Sequence, residues 1–203
     1  RLIKVMQSHR VEICVIAGHP RGTQLLRGDA QRPDWLVTMK THELSLMTRT
    51  LVVGSSSRYW DGSDAVILPH MGSSIEASRV LLSRKRPRVG LWGHIAPYVS
   101  PGNAVDLAIE RWQLRRCDRV FAYTEGGRDF AINAGVDERR VTTVVNSIDT
   151  SELLSDMRAL TPDSIDRFLD NEGIPAGRAL VAFLGGLDAS KRVDLLAEAL
   201  AHL

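Results

Sequence analysis

Short apolar runs alternate along the chain with longer amphipathic stretches, the pattern of a parallel sheet covered by helices. VEICVIAG (11–18) predicts the first clear strand, ended by Gly18, Pro20 and Gly22. Between 31 and 60 the pattern is mixed: WLVTM suits a strand, while HELSLMTRTLVVG fits helix, strand or one of each. The turn sequence WDGSD introduces a further strand, DAVILPH (64–70), and the helix after it carries a capping box of Ser73 and Glu76. That helix runs through SRVLLSRK and stops before Pro87. RVGLWGH (88–94) is the next strand and IAPYVSPGN a loop. A helix then starts at the N-cap Asn103, with Asp106 in its first turn and Arg111, Arg115 and Arg116 toward its C-terminal end, all favourable to the helix dipole. RVFAYT (119–124) predicts a buried strand, EGGRDFAINA a short helix closed by Gly135, and RVTTVVN (140–146) another strand. Each strand–helix–strand unit has about the size that a right-handed crossover needs.

From Ser147 to Arg178 the chain turns acidic and polar, with Pro162 and Pro175, and reads as a connector. ALVAFLGGL (179–187) starts a new strand, and the helix after it repeats Val193, Leu196, Leu200 and Leu203 at helical spacing. The pattern therefore divides into a Rossmann-like α/β domain over 1–146, a connector over 147–178, and the first strand and helix of a second domain over 179–203.

Length and composition sharpen this division. The chain has 203 residues, of which 44% are hydrophobic, enough for one domain plus a fraction and for a core that needs no disulfide or metal staple. A start without Met and an uncapped helical end predict truncation at both ends. No apolar run approaches the ~20 residues of a membrane span, and the start lacks the pattern of a signal peptide, so a cytoplasmic location is expected. Cys14 and Cys117 read as reduced, buried thiols. A net charge of +2, without aromatic residues interleaved among basic ones, argues against nucleic acid as a partner. The stretch 84–119 is locally basic, with Arg84, Lys85, Arg86, Arg88, Arg111, Arg115, Arg116 and Arg119 against Asp106, Glu110 and Asp118. It reads either as solvated helix ends or as a peripheral contact with anionic lipid or an anionic acceptor.

The candidate chemistry follows from strand ends. Ligands of open parallel sheets bind outside the carboxyl ends of the strands, which is where His94 ends RVGLWGH. An imidazole there can bond a substrate hydroxyl or relay its proton. His70 ends its own strand in the same way, and Thr124 and Glu125 close a third on that edge, so all three are candidates for the same cleft. Gly185 and Gly186, between a strand and a helix, allow a ligand close to the backbone, with Lys191 and Ser190 at the helix start suited to a phosphate. A plain structural turn explains that segment equally well, because neither GxxxxGK[ST] nor GxGxxG is present. The pairs Asp61/Asp64 and Asp163/Asp166 lie in turn and helix-start contexts and read as caps. No CxxC, HExxH or His/Cys cluster predicts a metal.

Three segments in order resemble family 4 of the retaining glycosyltransferases. CDRVFAYTEGGRDFAINAGVDERRVTTVVNSIDT is similar to the family's strand, hydroxyl residue, helix and Gly-Val, ending in a turn that is here Asn146-Ser147-Ile148-Asp149. FLGGLDASKRVDLLAEAL resembles the start of its second domain, and VGLWGH the strand that delivers a histidine into the cleft. The resemblance spans about residues 60–203 and implies the GT-B fold, two Rossmann-like domains facing across a cleft. It implies that the first domain binds a glycan, lipid-linked or small-molecule acceptor and the second a nucleotide-sugar, with His94 as the catalytic candidate near the transferred sugar. Gly185, Gly186 and Lys191 would then hold the donor diphosphate, with no metal and no cofactor beyond the nucleotide-sugar substrate. There are departures. Many relatives carry Arg where Gly186 stands, the family's opening strand and glycine-rich loop do not precede Arg1, and its Glu-x7-Glu segment would lie beyond Leu203. The chain by itself is therefore expected to be incapable of normal transfer. A GT-B sugar-nucleotide epimerase and a split, non-catalytic acceptor-binding subunit are the alternative readings.

Overall fold

The computed structural model describes residues 2–19, 35–46, 49–98, 103–175, 177, 180–185 and 191–202. These divide into two compact units, one up to Ile148 and one from Asp149 onward. In the first unit, helix α1 (Leu2–Ser8) precedes two strands that pair in parallel, β1 (Val15–Gly18) and β2 (Leu36–Met39). Strands β3 (Thr41–Leu46) and β4 (Arg49–Gly54) form an antiparallel hairpin, followed by the short helix α2 (Ser57–Trp60). The chain then alternates β5 (Ala65–Pro69), α3 (Ile75–Leu82), β6 (Arg88–Gly93), α4 (Ala104–Arg116), β7 (Arg119–Ala122), α5 (Glu125–Asn133) and β8 (Val141–Thr143). The four strands form one parallel sheet in chain order.

Register explains why this sheet forms. Pairing of Leu68 with Leu91, Leu91 with Val120 and Val120 with Val141 puts an apolar residue of each of the four strands on one face. Helices α3, α4 and α5 supply Val80, Leu81, Leu114 and Ala131 to the same core, where Val89, Leu91, Val120 and Ala122 are fully buried. Each buried Val or Leu contributes about 1.5–3 kcal/mol relative to exposure. The opposite face carries Ile67, Gly90, Trp92 and Phe121. Gly90 is required there, since a Cβ would stand 2.8 Å from the Phe121 ring.

The helix ends follow the sequence closely, with one shift. Asn103 caps α4 by accepting from the Val105 N–H at 2.9 Å, and Gly135, at φ +95°, ends the turn after α5. Ser74, not Ser73, caps α3, its hydroxyl accepting from Ala77 N–H at 3.2 Å. Glu76 is consequently released from the expected box and accepts the Ser56 N–H at 3.1 Å together with the Ser56 hydroxyl. Over its described residues, 35–46 and 49–60, the mixed segment resolves mainly into β2 and the β3–β4 hairpin, and 31–34 and 47–48 lie outside the described residues. The expected strand at 11–18 forms only over Val15–Gly18, which leaves Cys14 exposed rather than buried.

The second unit holds α6 (Ser151–Ala159), α7 (Pro162–Asn171) and α8 (Val193–Leu200). The connector is thus helical, and α7 opens with a reciprocal capping box between Thr161 and Ser164 ahead of Pro162. The strand expected at 179–187 is not formed over its described residues, 180–185, where Leu180, Val181 and Leu184 are exposed. Among the described residues no strand lies beside this run to pair its backbone, and an unpaired apolar run gains no ladder bonds.

Candidate functional site

The carboxyl ends of β6 and β7 gather the groups that chemistry would use. His94 follows β6 directly and is exposed. The Ala96 N–H donates to the His94 carbonyl at 2.8 Å across Ile95, whose φ is +67°. Bond and dihedral together mark a γ-turn of the strained kind, unusual for a β-branched residue and held because Ile95 is only 4% exposed. The turn aims the imidazole at two rings, with centroids 5.0 Å away for Tyr123 and 5.8 Å for Tyr98, both edge to face. The Tyr98 hydroxyl shares a 2.7 Å hydrogen bond with Thr124 Oγ1. Thr124 in turn caps α5, accepting from the Gly127 N–H at 3.1 Å. Helix α5 can approach this closely because residue 127 is glycine: a Cβ there would overlap the His94 carbonyl oxygen. Glu125 stands exposed in the first turn of α5, where its charge suits the helix dipole.

Of the cleft candidates, His94, Thr124 and Glu125 therefore meet on one edge. His70 ends β5 on that edge too, with Gly93 beside it, but its ring turns into α4. Its Nε2 lies 3.2 Å from the Glu110 carbonyl, while the Glu110 carboxylate accepts the Gly72 N–H at 3.0 Å. Burial lowers the His70 pKa, partly offset by that carbonyl and by the Glu110 charge. The ring thus ties the 70–72 loop to α4 as a half-buried structural group. Tyr98 and Tyr123 were not foreseen, although a tyrosine next to a strand-ending threonine, as in RVFAYT, is a readable signal.

Among the donor candidates, Gly186 and Ser190 lie outside the described residues. Gly185 has φ +156° in the irregular segment 180–185. Lys191 is exposed and precedes the N-cap of α8, Arg192, rather than occupying the first turn as expected.

The basic stretch lies elsewhere. Arg88 and Arg119 begin β6 and β7, so they stand at the amino ends of the strands, opposite His94. Four of the eight basic side chains donate to main-chain carbonyls: Arg86 to Arg116 at 3.2 Å, Arg115 to Ala134 at 3.0 Å, Arg116 to Leu81 at 2.7 Å and Arg119 to Arg139 at 2.9 Å. Arg86 also pairs with Asp118. For Asp118, the Arg86 bond, the Val89 N–H and the Arg86 and Arg140 charges outweigh desolvation and hold its carboxyl below the ordinary range. These arginines close helix ends and strand starts, as cations do at helix C-termini.

A parallel sheet flanked by helices, with polar and aromatic groups at the carboxyl ends of adjacent strands, defines a Rossmann-like α/β domain, and in such open sheets that edge is the general place for a ligand. The family model for Glycosyltransferase Family 4 matches residues 1–152, three quarters of the chain, and the chain belongs to that family. No curated protein matches it. Among the described residues, no helix is long and apolar enough to cross a membrane.

Proposed function

We propose that this domain is the acceptor side of a glycosyltransferase that moves a sugar from a nucleotide-sugar to a glycan, lipid-linked or small-molecule acceptor with retention. The observation that carries the reading is the placement of His94, held by a strained turn at the carboxyl end of β6 against Tyr98 and Tyr123. Strain of this kind, fixed by burial of Ile95, positions a side chain rather than stabilising a fold. In the proposed mechanism His94 bonds a hydroxyl of the reacting sugars, the tyrosine rings pack on a sugar face, and Thr124 with Glu125 orients the acceptor. Attack occurs on the face from which the nucleoside diphosphate departs, the leaving phosphate taking the acceptor proton. Charge develops on that diphosphate, and Lys191 and the glycine backbone at Gly185 and Gly186 are its proposed partners. In this reading no metal or further cofactor takes part and the protein works in the cytoplasm. Contact with the inner membrane face would fall to the remaining exposed basic side chains, Arg84, Lys85, Arg88 and Arg111.

The test is product analysis by mass spectrometry and proton NMR on the protein in its natural full length, against a panel of nucleotide-sugars and acceptors. The expected result is a glycoside whose anomeric configuration matches the donor. Hydrolysis alone, or interconversion of the nucleotide-sugar, would overturn the reading, the latter in favour of an epimerase.

A further inference from the structure

The carboxyl ends of β1 and β2 border a separate cavity of about 410 Å³, lined by His19, Thr38, Met39, Lys40, Ser55 and Arg58. Four segments converge there. His19 follows β1, Lys40 follows β2, Ser55 follows β4, and Arg58 lies in α2. Among the described residues the lining holds an ammonium, a guanidinium, one imidazole and two hydroxyls, and no carboxylate.

Its walls are fixed by close packing. A Cβ at Gly18 would stand 2.9 Å from Thr41 Oγ1, and one at Gly54 would stand 2.9 Å from the Met39 methyl, so the strand ends approach closely only because both are glycine. Arg58 stacks on the Tyr59 ring at 4.6 Å and donates to its hydroxyl at 2.5 Å, which holds the guanidinium in place. Ser56, between Ser55 and the helix, is bonded to Glu76 at the start of α3, and the Trp60 indole N–H donates to the Ser56 hydroxyl at 3.2 Å. Two residues before Gly54, the Val52 N–H donates to the Ser73 carbonyl at 3.1 Å. The cavity wall is thereby tied to the loop after β5, the strand that neighbours β6.

We propose that this cavity binds the anionic group, a phosphate or a carboxylate, of a sugar-like acceptor. An ammonium and a guanidinium bond such oxygens with charge assistance, while the hydroxyls of Thr38 and Ser55 complete the shell. The volume falls within the range of small-molecule sites and admits a phosphorylated monosaccharide. The inference rests on the reading of this unit as an acceptor domain and adds that the acceptor is charged.

Calorimetric titration of the full chain with glucose 6-phosphate, glucuronate and glucose tests it, alongside phosphatidylcholine vesicles with and without phosphatidic acid. The two soluble anions are expected to bind more tightly than glucose, with affinity falling as salt is added. Lys40→Gln and Arg58→Gln should each weaken glucose 6-phosphate roughly tenfold, while Arg119→Gln at the amino ends of the strands leaves it unchanged. Capture by phosphatidic acid vesicles that is lost in Lys40→Gln would place the same anion on a lipid; no capture would place it on a soluble acceptor. Equal binding of glucose and glucose 6-phosphate, or full affinity in both variants with native circular dichroism spectra, would overturn the proposal. Absence of glycosyl transfer with phosphate binding intact would instead overturn the catalytic reading alone.

Discussion

His94 concentrates the functional argument at the level of single residues. It is exposed and its side chain carries little of the core, so His94→Ala is expected to lower transfer by roughly a hundredfold or more, with less than about 1 kcal/mol lost in thermal unfolding. Parallel loss of both would make it a structural residue. His70 behaves in the opposite way. Its pKa is lowered in the folded state, so its neutral form is favoured and stability should fall as pH drops below the ordinary histidine value of 6.5. His70→Gln should flatten that limb of a stability–pH profile measured by denaturant unfolding. The two thiols also separate. Burial pushes Cys117 up to about 11, whereas Cys14 is exposed, so iodoacetamide at pH 8 should label Cys14 in the native chain and Cys117 only after denaturation. His94 could be read from sequence because a strand pattern ended on it. Of its tyrosine partners, Tyr123 carries a signal beside the strand-ending Thr124, but Tyr98 does not, because the chain reaches it through a positive φ at Ile95, which an isoleucine does not announce.

Among the elements, the start of α5 is the part most sensitive to small changes. Gly127→Ala would drive a methyl into the His94 main chain, and about 1–3 kcal/mol of destabilisation is expected in denaturant unfolding. At Gly126 the same methyl would meet only the Tyr98 hydroxyl, the end of a side chain that can turn aside. Gly126→Ala should therefore cost less stability while breaking the Tyr98–Thr124 bond. A stability ranking with Gly126 as the more costly site would contradict the described packing. The alternating apolar runs were legible for β5 to β8 because each strand is buried by register on one face, and α4 was legible through its cap. The β3–β4 hairpin was not, since its pattern also suits a helix and only antiparallel pairing decides between them. The segment 180–185 illustrates the converse: an apolar run predicts a strand only where a neighbour completes its hydrogen bonds.

At the scale of the whole sheet, the two ends of its strands carry different side chains. Sequence counting leaves the arginines of 84–119 either as solvated helix ends or as a contact for anionic lipid or acceptor, because charge along a chain does not reveal which end of a strand each residue occupies. The fold sends Arg88 and Arg119 to one edge and His94 to the other, and four arginines of the stretch go to carbonyls. The carboxyl edge is accordingly the one proposed to bind the acceptor. Two-dimensional amide NMR of the labelled chain, titrated with glucose and glucose 6-phosphate as acceptor probes, tests this most directly. Shifts are predicted at His94, Ala96 and Tyr123 to Gly127, with those of Lys40, Ser55 and Arg58 confined to the phosphate. Shifts centred on Arg88, Arg119 and Arg140, with the His94 edge unmoved, would contradict it.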